Sequence, residues 1–101
     1  GADMKDILPV GTVVLLKGAT KKTVIMGILQ VNEEEENKLY EYLGVPYPEG
    51  YMGRGTTYLF NREDINDIVF TGYDNPERQG FLELVEQIYE EARQKIEQEE
   101  K

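Results

Sequence analysis

The sequence predicts an α+β fold: a small, strongly bent antiparallel sheet of four or five strands, close to an SH3-like barrel, followed by one C-terminal helix. Residues 4–75 consist of short β-branched or aromatic segments separated by turn residues, which is typical of an antiparallel sheet. Residues 76–101 instead have the apolar spacing of a helix. The first two strands are apolar on both faces, which indicates a curled sheet with a covered outer face. An open sheet with the helix across one face is the alternative.

Two strands joined by a polar turn begin the sheet. Residues 12–16 (TVVLL) and 23–31 (TVIMGILQV) are rich in β-branched and apolar residues, and residues 17–22 (KGATKK) form the turn between them. In the second strand, Gly27 indicates a bulge, a sharp bend or the close approach of another backbone.

The alternation of a strand predicts which side chains share a face. In the second strand, strict alternation places Ile25 and Ile28 on opposite faces. In the third strand, residues 39–45, it places Tyr40 and Tyr42 on the same face. We therefore expect one face of the third strand to be rich in tyrosine.

A turn-rich loop separates the third strand from the fourth, residues 56–60. This loop, residues 46–55, contains Pro48 and three glycines, which prevent regular structure. Residues 39–60 hold five of the seven tyrosines. Because tyrosine offers a large, stiff contact area with a polar tip, the loop either folds down as a lid on the core or serves as a contact surface.

The remaining chain returns to the sheet and then forms the helix. Asn61 and Asp64 are spaced to cap a single helical turn, and residues 68–73 form a last strand. Pro76 occupies the first helical position, and the helix extends to about residue 98. Its apolar stripe is broad enough to pack on the sheet within a single domain, and consists of Phe81, Leu82, Leu84, Val85, Ile88, Tyr89, Ala92 and Ile96.

The composition excludes several classes of function. The 101 residues include no cysteine, histidine or serine, so the chain has no disulfide, no thiolate or histidine metal site, and no serine or cysteine triad. The four glutamates of residues 33–36 lack the spaced ligands of a calcium loop, which favours a solvated turn. We expect a protein that is not an enzyme and holds no metal or cofactor.

The formal charge of −9 is unevenly distributed. Residues 1–31 contain four lysines and two aspartates, whereas the rest of the chain contains 7 basic and 18 acidic residues. Nucleic acid binding requires a broad basic surface, so we expect none. No apolar run approaches the ~20 residues of a membrane span and no signal peptide is evident, which predicts a cytoplasmic protein. Residues 1–3, ahead of Met4, look like the remnant of an expression tag.

These exclusions favour a protein-binding module whose contact surface is the tyrosine-rich loop. Tyrosine and arginine contribute strongly to interface energies, and Arg54 stands between two glycines, which suggests an arranged setting. The candidate partner-binding residues are Tyr42, Tyr47, Tyr51, Met52 and Arg54.

Two alternatives remain open. The first is a small-ligand-binding or enzymatic module with a pocket under residues 47–55, in which Arg54 and Glu49 are the polar anchors. The second is a homodimer formed through the exposed face of the first hairpin.

Four segments resemble a known family: residues 8–22 (LPVGTVVLLKGATKK), 24–30 (VIMGILQ), 40–50 (YEYLGVPYPEG) and 60–73 (FNREDINDIVFTGY). In this order, followed by a helix, they resemble the small family of unknown function encoded beside LXG-type toxins in type VII secretion clusters of Gram-positive bacteria. The resemblance implies a cytoplasmic accessory protein, an adaptor or export chaperone, that holds or delivers an LXG-type toxin. It implies no catalytic residues.

Overall fold

The computed structural model describes residues 4–99, so the tag remnant predicted at residues 1–3 lies outside the described residues. Within them, five strands and one long helix confirm the predicted α+β class. Short 3-10 turns at Met4–Asp6, Glu33–Glu35 and Arg62–Asp64 accompany them. The main elements are β1 (Val13–Leu16), β2 (Thr23–Asn32), β3 (Lys38–Pro46), β4 (Tyr58–Phe60), β5 (Ile65–Phe70) and α1 (Pro76–Glu99).

The five strands form one antiparallel sheet in the order β4-β3-β2-β1-β5. β4 has three residues, which pair with β3, and β5 pairs with β1. Within residues 4–99 these two outer strands do not pair with each other, and the sheet is neither closed nor strongly curled. The SH3-like barrel is therefore not confirmed, because a closed sheet requires its two outer strands to pair with each other.

The buried face of the sheet is built from alternate residues of neighbouring strands. Val14 in β1, Ile25 in β2 and Tyr42 in β3 are fully buried. Phe60 in β4 continues this face, and its ring centroid lies 5.4 Å from that of Tyr42. Burying side chains of this size contributes about 1.5 to 3 kcal/mol each, so this row contributes substantially to the stability of the sheet.

Gly27 marks a β-bulge, which was one of the three alternatives predicted for this position. Ile25 pairs with Gly44, whereas Gly27 pairs with the preceding residue of β3, Leu43, and Ile28 then pairs with Tyr42. The bulge inserts one residue into β2, which reverses the alternation beyond it. The prediction that Ile25 and Ile28 lie on opposite faces is therefore wrong, since their partners Gly44 and Tyr42 share a face of β3.

The turn before β5 is capped as predicted. The backbone N–H of Asn61 donates to Asp64 Oδ2 at 2.9 Å. The amide oxygen of Asn61 accepts from the backbone N–H of Glu41 in β3 at 2.9 Å, and Glu41 Oε1 accepts from the N–H of Arg62 at 2.9 Å. These bonds attach the turn to the middle of β3, where they satisfy backbone groups that β4 leaves unpaired.

The chain divides into two compact units, one of residues 8–73 and one that combines the described residues 4–7 and 74–99. In the second unit, α1 begins at Pro76 as predicted, and Asn75 Oδ1 accepts from the N–H of Arg78 at 3.0 Å. The Arg78 guanidinium also donates to the backbone carbonyl of Ile7. Within residues 4–99, no helix combines the length and apolarity needed to cross a membrane.

The apolar stripe predicted for α1 is unevenly buried. Leu82 is buried, whereas Phe81, Leu84 and Ile88 are each about half exposed. The packing of this helix on the sheet as one domain stays a prediction.

Replacing Tyr42 by phenylalanine is expected to lower the free energy of unfolding by about 1 to 2 kcal/mol. The Tyr42 hydroxyl accepts a hydrogen bond from the backbone N–H of Leu8 at 3.0 Å, and the substitution leaves this partly buried N–H without an acceptor. Urea unfolding at neutral pH measures the loss. Tyr40→Phe is the matched control, because its hydroxyl bonds Glu35 at the exposed surface; a loss in the control equal to that of Tyr42→Phe would contradict this account.

The difference in stability between the parent and Tyr42→Phe is expected to depend on pH. Burial raises the pKa of the Tyr42 phenol above its usual value near 10. The unfolded chain therefore loses this proton first, and the stability that the neutral phenol contributes is complete below about pH 10 and decreases as the pH rises toward the raised pKa. The difference in stability between the parent and Tyr42→Phe should narrow above about pH 10.

Candidate functional site

The segment between β3 and β4, residues 47–57, is called the tyrosine loop below. It consists of two hydrogen-bonded turns. The N–H of Gly50 donates to Pro46 O at 2.7 Å, and the N–H and the hydroxyl of Thr56 donate to Gly53 O at 3.3 and 2.7 Å. The turns satisfy part of the loop's own backbone, so the loop has a defined shape without the regular structure that its sequence excludes.

Two glycines at the tip of the tyrosine loop set the position of Arg54. Gly53 and Gly55 have φ values of +103° and +90°, a region that residues with a side chain rarely adopt. No atom lies within 4 Å of the position that a Cβ would take at either glycine. The reason for glycine is therefore the backbone conformation, and Arg54 between the two glycines is exposed.

The tyrosine loop lies beside the β1–β2 turn, residues 17–22, which is called the lysine turn below. Both connections leave the same end of the sheet, because Thr23 pairs with Pro46. The N–H of Tyr47 donates to Lys22 O at 3.0 Å, and Lys21 Nζ lies 2.7 Å from Glu49 Oε1. The two connections therefore form one continuous surface at this end of the sheet.

The ion pair between the two connections predicts an acid-sensitive contact. The hydrogen bond from Lys21 lowers the pKa of the Glu49 carboxyl from its usual value near 4.5. The pair is therefore present above that usual pKa and is lost as the pH falls through the lowered one. Lys21→Met is expected to return the pKa of Glu49 toward its usual value, measured by NMR titration of the side-chain carboxyl carbon. An unchanged pKa would mean that the ion pair does not form in solution.

Four of the five predicted partner-binding residues lie on this surface. Tyr47, Tyr51 and Met52 expose 49%, 62% and 60% of their area, and Arg54 is exposed as well. The tyrosine loop is therefore not a lid whose aromatic rings are buried beneath it.

Tyr42 is the exception among the predicted partner-binding residues. It is fully buried in the sheet, so its side chain is not available to a partner, and its inclusion in the surface was wrong. Alternation correctly placed Tyr40 and Tyr42 on one face, but at Tyr42 that face is the core.

A shallow depression of about 200 Å³ lies beside the lysine turn. Neither Arg54 nor Glu49 lines it, so the depression does not bring together the anchors of the predicted ligand pocket. The sequence did not predict this depression. The signal present in the sequence was Tyr58 and two lysines of a turn, which only the pairing of the strands brings together. The lining residues are Leu16, Ala19, Lys21, Lys22, Thr23 and Tyr58.

A second exposed apolar set lies on the outer strand β5. Ile68, Val69 and Phe70 are each at least 40% exposed. In the first hairpin, Met26 and Val31 are similarly exposed, and the homodimer predicted through this hairpin stays a prediction.

Comparison with known proteins identifies a family. A family model described as a domain of unknown function (DUF4176) matches residues 7–81. The matched segment contains the whole sheet, the lysine turn, the tyrosine loop and the first turn of α1. No curated protein matches the chain, and no solved structure matches it.

Proposed function

The chain belongs to the family defined by the domain of unknown function DUF4176, and we propose that it is a non-enzymatic protein-binding accessory whose tyrosine loop contacts the partner. The observation that carries this proposal is the exposure of Tyr47, Tyr51 and Met52 on one short loop. Large apolar side chains at the surface are ordinary when single, whereas three in one loop beside Arg54 have the composition of an interface centre.

The shape of the loop supports the same proposal. The turns around Gly50 and Thr56 fix the backbone, and the bond from Tyr47 N–H to Lys22 O attaches it to the neighbouring turn. A loop that is ordered before binding loses less conformational entropy when a partner docks. Tyrosine adds to this effect, because it presents a large area with few rotatable bonds.

The setting of the proposal comes from the resemblance to proteins encoded beside LXG-type toxins. We propose that the protein acts in the cytoplasm as an adaptor or export chaperone for such a toxin in type VII secretion. The absence of histidine, cysteine and serine from the sequence supports a role without catalysis.

Co-expression tests the proposal directly. The protein carries an affinity tag and is produced together with the LXG-type toxin encoded beside its gene, and the complex is purified through the tag. We expect the toxin to be retained in a fixed stoichiometry by size-exclusion chromatography. A toxin that elutes separately at micromolar concentrations of both proteins would overturn the proposed partner.

A further inference from the structure

The lysine turn gives one end of an acidic protein a positive charge. Lys17, Lys21 and Lys22 are exposed in this turn, and Arg54 is exposed in the adjoining tyrosine loop. The Lys21–Glu49 ion pair neutralises one of these charges. Lys17 and Lys22 form no ion pair within residues 4–99, so their charges are available to a carboxylate of a partner.

The depression beside Lys22 combines this charge with apolar lining residues. Leu16, Ala19 and Tyr58 line it together with Lys21, Lys22 and Thr23. Its volume of about 200 Å³ is of the order of one large side chain. An apolar side chain that enters it removes these surfaces from water, while the ammonium groups stay at the rim.

We propose that this depression seats one apolar side chain of an acidic partner segment, whose neighbouring carboxylates are bound by Lys22 and Lys17. This inference rests on the proposed function, because it names the chemistry that the partner presents to the same end of the sheet. Charge complementarity favours an acidic segment as the occupant. The remainder of the chain is strongly acidic and repels such a segment, whereas the lysines of the lysine turn attract it.

Nucleic acid is the other anionic polymer that lysines and tyrosines bind. Its phosphates form a continuous negative charge that extends past the lysine turn onto the acidic remainder of the chain. A short acidic peptide segment places its charges locally and avoids this repulsion. The peptide is therefore the favoured occupant, and the oligonucleotide becomes one arm of the test.

Titration with model peptides tests this chemistry on the intact protein. The isotope-labelled protein is titrated with a glutamate-rich peptide that carries one central leucine, and amide shifts are followed by NMR. The comparison ligands are the same peptide with lysine for every glutamate, the glutamate peptide with glycine for leucine, and a single-stranded oligonucleotide. We expect shifts in residues 16–23 and at Tyr58 with the first peptide, and weaker binding of each comparison ligand.

Two variants and a matched control connect the shifts to the depression. Lys22→Glu reverses the charge of a lining residue and Ala19→Trp adds bulk at an exposed lining position, and each should weaken peptide binding about tenfold or more. Lys38→Glu is the control, because Lys38 lies at the far end of β3, roughly 25 to 30 Å from the lysine turn. This distance exceeds the Debye length of about 8 Å at physiological salt, so the control should bind like the parent.

The outcomes separate this inference from the proposed function. Equal binding of the glutamate and lysine peptides, no binding of the glutamate peptide, or an oligonucleotide affinity that depends on Lys22 overturns the inference. The co-purifying toxin provides the second arm. If the parent and Lys22→Glu retain the toxin equally, the inference is overturned and the proposed function stands. If the parent does not retain the toxin, the proposed function is overturned. In that case the peptide titration still decides the chemistry of this surface.

Discussion

Replacing Gly44 by alanine is expected to lower the free energy of unfolding by about 2 to 3 kcal/mol, a large part of the stability of a chain of this size. A Cβ at this position would overlap Thr23 Cγ2 and would lie 2.9 Å from Phe60 Cε1. Thr23 and Phe60 are both buried, so neither can move without disturbing the core. Val24 O, at 3.2 Å, closes the third side.

Gly27→Ala is the matched control for this substitution. Gly27 lies in β2, on the neighbouring strand, and its nearest contact is the amide nitrogen of the Gln30 side chain at 3.0 Å. The end of a flexible side chain can move aside, so the cost should stay below about 1 kcal/mol. Urea unfolding followed by circular dichroism measures both variants. Equal losses in the two variants would show that Gly44 is not enclosed in the way that the structure describes.

The second large effect concerns binding. In the complex with the co-expressed toxin, the double variant Tyr47→Ala, Tyr51→Ala is expected to weaken binding by roughly a thousandfold, since each hot-spot truncation costs about 2 kcal/mol. Both rings are exposed, and the hydrogen bonds that form the two turns of the loop come from backbone groups and Thr56. The variant should therefore keep its fold, which circular dichroism checks.

Tyr73→Ala is the matched control for the binding experiment. Tyr73 is 79% exposed and lies outside the tyrosine loop. Its truncation should change the affinity by less than about threefold. If the double variant binds as the parent does, the tyrosine loop is not the contact surface, whatever the toxin itself does. If the control loses as much affinity as the double variant, the contact extends beyond the loop.

Local signals in the sequence predicted the capped turn and the start of the helix, whereas the last strand, predicted at residues 68–73, lies at Ile65–Phe70. Pro76 after Asn75 predicted the start of α1, and Asn61 with Asp64 predicted the capped turn before β5. These features depend on residues a few positions apart, whose backbone geometry and hydrogen bonds are decided locally. The bulge at Gly27 was foreseen as one of three readings, but its effect on the faces of β2 was not.

Long-range pairing decided the features that the sequence did not predict. Alternation grouped Tyr40 with Tyr42, yet it does not tell which face of a strand becomes the core when both carry large side chains. Phe60 in β4 helps to bury Tyr42, because the two residues pair across neighbouring strands although they are 18 residues apart in the chain. The depression between Lys22 and Tyr58 arises in the same way, from the pairing of β2, β3 and β4.

Amide hydrogen exchange of the protein, alone and in complex with the co-expressed toxin, tests most directly whether this end of the sheet is the binding surface. We predict that complex formation slows exchange in the lysine turn and in the tyrosine loop, residues 17–22 and 47–57, and leaves exchange in Ile65–Phe70 and in α1 unchanged. Protection confined to β5 or α1, with both connections exchanging as in the free protein, would contradict the account.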